Sequence, residues 1–274
     1  MRTTAIAPVS RASFEGSEKP SVAELLAPLD QLAAKSSHLL VRPIGRFERN
    51  GRTYEIPRYI FLGPQGGDVT IPIGIFAGIH GDEPEGAHAL VKLVQLLEAH
   101  PELATGYCLF LYPVCNPTGF ENGTAFSSRG KDLNLELLKI SAEPEAQLLQ
   151  EELRSQPLEG IIKLHTKAGS DTFYGLVRGE TLARQLLDPA LAAAAELLPI
   201  ADDARIEGFR ARDVSYDHYE GGLTHAPEAP TRPFEVILET PGQVPAYLRE
   251  WAFVLALRSI LTEYRKFLAY APNL

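Results

Sequence analysis

Apolar positions recur along the chain in two alternating rhythms, one helical and one strand-like. Leu25, Leu26 and Leu29 fall on one helical face behind Ser21-Val22-Ala23-Glu24, a capping-box pattern whose side chains satisfy orphan backbone donors. Strands are predicted over 38–47, 53–62 and 71–79, with Asn50-Gly51 supplying the turn between the first two. The run from Ile71 to Ile79 is apolar on both faces, as a central strand covered on each side must be. It stops at His80, after which Asp82 is placed to cap a helix, Pro84 suits its first turn, and Ala87, Leu90, Val91, Val94 and Leu97 recur at helical spacing. The alternation continues with a strand over 107–114, a helix over 144–154 and a strand over 161–164. A helical stretch over 180–198, broken near Asp188-Pro189, a strand over 234–238 and a last helix over 244–268 complete it. This order predicts a single-domain, three-layer α/β/α fold whose mixed, mostly parallel twisted sheet carries helices on both faces. Residues 1–19 are polar and aperiodic and are expected to form a flexible N-terminal tail, with residues 20–274 as one domain free of internal repeats and linkers.

Length agrees with this picture, since 274 residues suit one large α/β domain in which about 75% of the chain's surface is buried. A formal net charge of −9 disfavours the phosphate attraction that drives nucleic-acid binding, and equally disfavours anionic membrane surfaces. Small or peptidic partners are expected instead. No stretch reaches the roughly 18 uninterrupted apolar residues of a membrane span, and the start lacks the apolar block of a secretory signal. The chain therefore reads as soluble and cytoplasmic. Cys108 and Cys115, its two cysteines, would stand roughly 23 Å apart in an extended run, against about 6 Å in a disulfide, so buried, reduced thiols are expected.

In a parallel sheet ligands gather at the carboxyl ends of the strands. Four polar residues fall there: His80, Asn116, His165 and Glu239. His80-Gly81-Asp82-Glu83 places an imidazole and a carboxylate three residues apart on a strand-to-helix turn, close enough to grip one cation together. His165 completes two histidines and one carboxylate with a position left for water, the ligand count of a catalytic zinc site. By itself a His-x-x-Glu is more often a helix cap, so the context matters. Glu239 ends an apolar run, where a carboxylate costs desolvation energy unless it has a partner or a task. Beside a metal-held water it can take a proton and later give it to a leaving amine. His88 and His100 belong to or follow the helix after Glu83 and read as surface or packing residues, while His218 and His225 read as loop residues.

Five motifs then occur in one order: Gly78-Ile79-His80-Gly81-Asp82-Glu83-Pro84, Asn116-Pro117-x-Gly119, Arg129-Gly130-x-Asp132-Leu133-Asn134, Leu164-His165 and Leu238-Glu239. In that order they resemble zinc carboxypeptidases of the M14 type over about residues 38–268, above all their small bacterial members such as the murein peptide amidases. The resemblance implies a metallocarboxypeptidase or peptide amidase, a catalytic domain that cleaves an amide bond of a small peptidic substrate by metal-activated water. It implies one Zn2+ per chain held by His80, Glu83 and His165, with Asp132 orienting His80. Arg129 would polarise the scissile carbonyl and hold the oxyanion, Asn134 would bind the substrate's carboxylate, and Glu239 would be the general base.

Three departures from the family pattern stand out. Leu135 occupies the place of an arginine that helps clamp a C-terminal carboxylate. Ahead of Gly221-Gly222, where the family carries a mobile tyrosine, a gap-free match lands on Asp217, leaving Tyr216 as the nearer substrate-binding candidate and Tyr219 as the other. Lys163 stands where many relatives of the deacylase branch have an acid. Thr224 resembles the floor of the specificity pocket and, being uncharged, indicates no acidic or basic preference. An alternative is an N-acyl amino-acid deacylase resembling succinylglutamate desuccinylase and aspartoacylase. Those relatives carry a sizeable β domain after the base, whereas the residues after Glu239 read as mostly helical. A non-catalytic zinc-binding relative is the other alternative, disfavoured by the intact His80, Glu83, His165, Arg129 and Glu239. The oligomeric state is left open.

Overall fold

The computed structural model describes residues 20–67, 70–177, 179–201, 205–206, 209–210 and 233–270. The chain runs α1 (Val22–Ala33), β1 (Leu39–Val41), β2 (Gly45–Arg49), β3 (Arg52–Ile56), β4 (Tyr59–Leu62), β5 (Ile71–Phe76), α2 (Pro84–Ala99), β6 (Tyr107–Tyr112), α3 (Pro117–Asn122) and α4 (Leu133–Leu137). It continues through α5 (Pro144–Ser155), β7 (Gly160–Lys167), β8 (Tyr174–Val177), α6 (Glu180–Leu182), α7 (Asp188–Ala194), β9 (Arg205–Ile206), β10 (Phe209–Arg210), β11 (Phe234–Pro241) and α8 (Ala246–Tyr270).

Ser21 caps α1 as its sequence pattern predicts, accepting the Glu24 N–H at 3.3 Å. Asn50 and Gly51 take φ of 52° and 72°, the positive angles of a tight hairpin turn, and join β2 to β3. The two long strands expected around this turn are each broken at a proline. Pro43 separates β1 from β2 and Pro57 separates β3 from β4, because proline cannot donate to a ladder. The breaks let β1 and β4 enter the main sheet while β2 and β3 stand apart as a ribbon.

The main sheet has seven strands in the order β1-β4-β6-β5-β7-β11-β8. β5, β6, β7 and β11 are mutually parallel, while β4 and β8 pair antiparallel on the two sides of that group. One face packs on α1, α2 and α8 through residues such as Leu29, Leu90, Leu164, Leu238 and Leu257. The other is covered by α4, α5 and the ribbon through Phe47, Ile56, Leu133, Leu149 and Ile161. The fold is therefore the expected three-layer arrangement. Each such buried side chain contributes roughly 1.5 to 3 kcal/mol of transfer free energy.

From β5 the chain passes through α2 to β6 on one side, then returns to β7 on the other. Such a reversal opens a crevice at the carboxyl ends of the two diverging strands. His80 follows β5 and His165 lies near the end of β7, so both border that crevice.

Several boundaries differ from the sequence expectation. β5 stops at Phe76 because Gly78 turns out of the sheet in a left-handed conformation, φ 57°. β7 and β11 run on through Lys167 and Pro241, so His165 and Glu239 lie within strands and not just after them. The break near Asp188-Pro189 takes the form of a π turn over Ala183–Leu187, placed ahead of a proline that has no N–H to donate. Both cysteines are free, Cys115 buried and Cys108 only half-buried. Among the described residues no helix is long and apolar enough to cross a membrane.

Candidate metal centre

The turn after β5 is shaped by close backbone approach. A Cβ at Gly81 would stand 2.0 Å from the Gly119 carbonyl carbon in α3. Only glycine fits there, which fixes His80 between the sheet and α2. Asn116, fully buried, supports the same turn. It accepts the Gly119 N–H at 2.8 Å and donates to the Ile79 and Ala125 carbonyls, each at 3.3 Å. Gly81→Ala is expected to destabilise the fold by roughly 3 kcal/mol or more, read as a fall in the urea midpoint. A change below about 1 kcal/mol would mean that the turn has slack.

Glu83 takes the N-cap position of α2 that the sequence suggested for Asp82, yet its side chain makes no cap hydrogen bond. The carboxylate instead faces two imidazoles. His80 Nδ1 is 2.7 Å from Glu83 Oε1 and His165 Nδ1 is 3.0 Å from Oε2. The ligand atoms of the three residues lie within 4.8 Å of one another, and the two rings stand 5.2 Å apart. Burial alone would raise the Glu83 pKa, but the hydrogen bonds from His165 and His80 hold it down at about 2. Burial likewise opposes charge on His80, and its contacts with Asp132 and Glu83 overcome this, pushing it up to about 10.

These residues fit a divalent metal ion. Two imidazole nitrogens and one carboxylate are the protein ligand set of a catalytic site, and imidazole is a favoured donor for zinc and its neighbours. His80, Glu83 and His165 would hold such a cation, which would supply positive charge beside the Glu83 carboxylate.

Supporting contacts reach further than the sequence indicated. The Thr166 N–H donates to Glu83 Oε2 at 3.0 Å, and the Thr166 hydroxyl donates to Glu85 Oε2 at 3.0 Å. Glu85 in turn pairs with Arg249 of α8 at 2.6 Å. The chain Glu83–Thr166–Glu85–Arg249 ties α2, β7 and α8 together behind the His80–Glu83–His165 group. No spacing rule links these residues.

Asp132 sits where the resemblance put it, with Oδ1 at 3.4 Å from His80 Nε2. Its contact with His80 holds the Asp132 carboxyl below the usual range. Asp132→Asn is expected to weaken metal affinity by ten- to hundredfold, measured by competition with a chromogenic chelator. Unchanged affinity would remove Asp132 from this role.

Asn134, whose N–H is capped by Asp132 at 2.8 Å, brings its Nδ2 to 3.2 Å from the same His80 Nε2. Its Oδ1 is buried without a hydrogen-bond partner among the described residues. Turned end for end, the amide would accept from Nε2–H and leave Nδ2 for a substrate oxygen. Glu239 is buried at 5% exposure and pairs directly with His165 across β7 and β11. Paired residues project to the same face of a sheet, so the carboxylate emerges beside the imidazole.

Arg129 is not gathered into this cluster. Its guanidinium donates to the Ala142 carbonyl at 2.9 Å and lies 3.9 Å from Glu143. Leu135 projects from α4 at 45% exposure. His88 and His100 are exposed, as expected. Tyr216, Tyr219, Thr224, His218 and His225 lie outside the described residues.

Residues 71–198 match the model of the succinylglutamate desuccinylase/aspartoacylase catalytic domain. That span contains His80, Glu83, Asp132 and His165 but ends before Glu239. No curated protein matches the chain. Among solved structures it is similar to a proposed metallopeptidase from Shewanella denitrificans OS217, at 21% identity and a TM-score of 0.70, covering 87% of this chain and 88% of that one. A metallo-carboxypeptidase from Burkholderia cenocepacia aligns at 14% identity and a TM-score of 0.71, covering 88% and 69%. A metallo-carboxypeptidase from Pseudomonas aeruginosa, in complex with (2-guanidinoethylmercapto)succinic acid, aligns at 15% identity and a TM-score of 0.66, covering 86% and 67%. At these identities the likeness establishes a carboxypeptidase-like fold.

Proposed function

We propose, from the match of residues 71–198 to the succinylglutamate desuccinylase/aspartoacylase catalytic domain, that the chain is a zinc-dependent hydrolase of amide bonds in small peptidic or acyl-amino-acid substrates. The observation that carries the reading is the pairing of β7 with β11, which sets His165 of the His80–Glu83–His165 group beside the buried carboxylate of Glu239. Held by His80, Glu83 and His165, zinc would lower the pKa of a coordinated water to about 7 and polarise the substrate carbonyl.

Glu239 takes the proton of the attacking water and returns it to the nitrogen as the C–N bond breaks, which balances the hydrolysis without another acid. Asp132 keeps the His80 ring oriented through Nε2. Arg129 is assigned to the oxyanion. Its side chain is 43% exposed and anchored by one carbonyl and a distant carboxylate, contacts weak enough to exchange for a developing negative charge. A donor placed there contributes roughly 3 to 4 kcal/mol to the transition state. Asn134 and Tyr216 are assigned to substrate binding.

The family match favours an N-acyl amino acid, while the carboxypeptidase-like fold is equally suited to a peptide. A panel of N-acetyl and N-succinyl amino acids, free dipeptides and a cell-wall peptide decides between them by release of free amine. One class should be cleaved, and cleavage should stop with a chelator. Failure to cleave any of them by a chain carrying its zinc would instead support a binding protein.

Leu135 bears on which end of the substrate is held. A branched apolar side chain cannot supply paired charged hydrogen bonds to a carboxylate. Exposed beside Asn134, Leu135 has room for a guanidinium. Leu135→Arg is expected to raise the preference for a free-acid peptide over its C-terminal amide by roughly tenfold or more in kcat/KM, as charged hydrogen bonds of about 1.5 to 3 kcal/mol give. If the unaltered chain already prefers the free acid by about a hundredfold, equivalent to roughly 2.7 kcal/mol, another cation such as Lys131 does this work.

A further inference from the structure

Lys163 lies in the middle of β7, between Ile162 and Leu164, with no exposed surface. An ammonium is not buried without compensation. In the register of β7 against β11, Lys163 stands opposite Ile237. Alternation along the strand then places Glu235 and Glu239 on the same face as Lys163, one on either side. Lys163 Nζ is 3.3 Å from Glu235 Oε1, and that carboxylate is itself 3% exposed. Lys163 therefore shares one face of the sheet with two carboxylates, Glu235 within ion-pair distance and Glu239 at the position paired with His165.

A pair with Glu235 alone is a poor reason to bury a charge here, since apolar residues of similar volume are often as stable or more so. We propose that Lys163 is a positioning residue for the hydrolysis: anchored by Glu235, its ammonium fixes the Glu239 carboxylate facing the metal centre without touching substrate. This rests on the assignment of Glu239 as the base. It also gives a physical sense to a cation where relatives of the deacylase branch carry an acid. On this strand the charge that must be balanced is that of the neighbouring β11 carboxylates.

Lys163→Met alone strands Glu235 in the core and is expected to destabilise the chain. The informative variant is Lys163→Met with Glu235→Met, which removes both charges and keeps the volume apolar. It is expected to melt at or above the parent temperature, to retain one metal per chain, and to lose roughly tenfold or more in kcat on the fastest-cleaved amide of the panel, with KM within about twofold. Glu235→Gln, which keeps an amide oxygen to accept from the ammonium and so leaves it anchored, is expected to lose less than about threefold in kcat.

A double variant with the parent kcat, or one that loses the metal, overturns the proposal. So does a Glu235→Gln variant as impaired as a tenfold loss, a result that decides the matter even if the double variant fails to fold. Glu239→Gln in the same assay separates the two assignments. Activity in that variant refutes the base itself, whereas its inactivity alongside a fully active double variant refutes only the role of Lys163.

Discussion

Glu239→Gln is expected to cut kcat by roughly a thousandfold, within the range that a positioned general base supplies, while the chain keeps its fold and its metal. The substitution is nearly isosteric, so the packing of a side chain only 5% exposed is preserved. What changes is the acceptor. A glutamine amide cannot take a proton from water, and it has none to return to the leaving nitrogen. KM should move little, because Glu239 is not placed among the residues that bind substrate. Turnover close to that of the parent would remove Glu239 from the base role and leave its burial beside His165 to be explained by structure alone.

His165→Ala is expected to empty the metal site. His165 is 3% exposed and brings Nδ1 to 3.0 Å from Glu83 Oε2, so its loss removes one of the three proposed protein ligands and one of the two imidazoles that hold the Glu83 pKa down. The loss in affinity should exceed the ten- to hundredfold typical of a supporting residue such as Asp132. Elemental analysis after dialysis should find the metal gone and turnover gone with it. Full occupancy in this variant would move the site elsewhere in the chain.

Much of this arrangement can be read from the sequence, because its signals are local. The apolar run before His80, the Asn50-Gly51 turn and the helical spacing behind Pro84 each depend on neighbours within a few residues, and each element forms. The His-x-x-Glu spacing and a histidine closing an apolar strand likewise point to the three residues that the structure gathers into one cluster. What escapes is set by pairing and packing between distant segments. β7 and β11 extend past their apolar cores because their polar ends, His165-Thr166-Lys167 and Glu239-Thr240-Pro241, pair with each other. Neither run shows in its own hydropathy.

The prolines at 43 and 57 mark the ends of strands, yet nothing near them says that the halves enter different sheets. The link from Thr166 to Glu85 to Arg249 joins three elements remote in sequence. Arg129 differs in another way. Its motif suggests the site, but the structure docks its guanidinium on the Ala142 carbonyl.

The measurement that reaches the heart of this reading is reconstitution of the metal-free chain. Metal is removed with a chelator and confirmed absent by elemental analysis, then zinc is titrated back while hydrolysis of the best amide substrate is followed. Turnover should vanish with the metal and return in proportion to added zinc, saturating at one ion per chain bound by His80, Glu83 and His165. Hydrolysis at an undiminished rate by chain shown to hold no metal would contradict it.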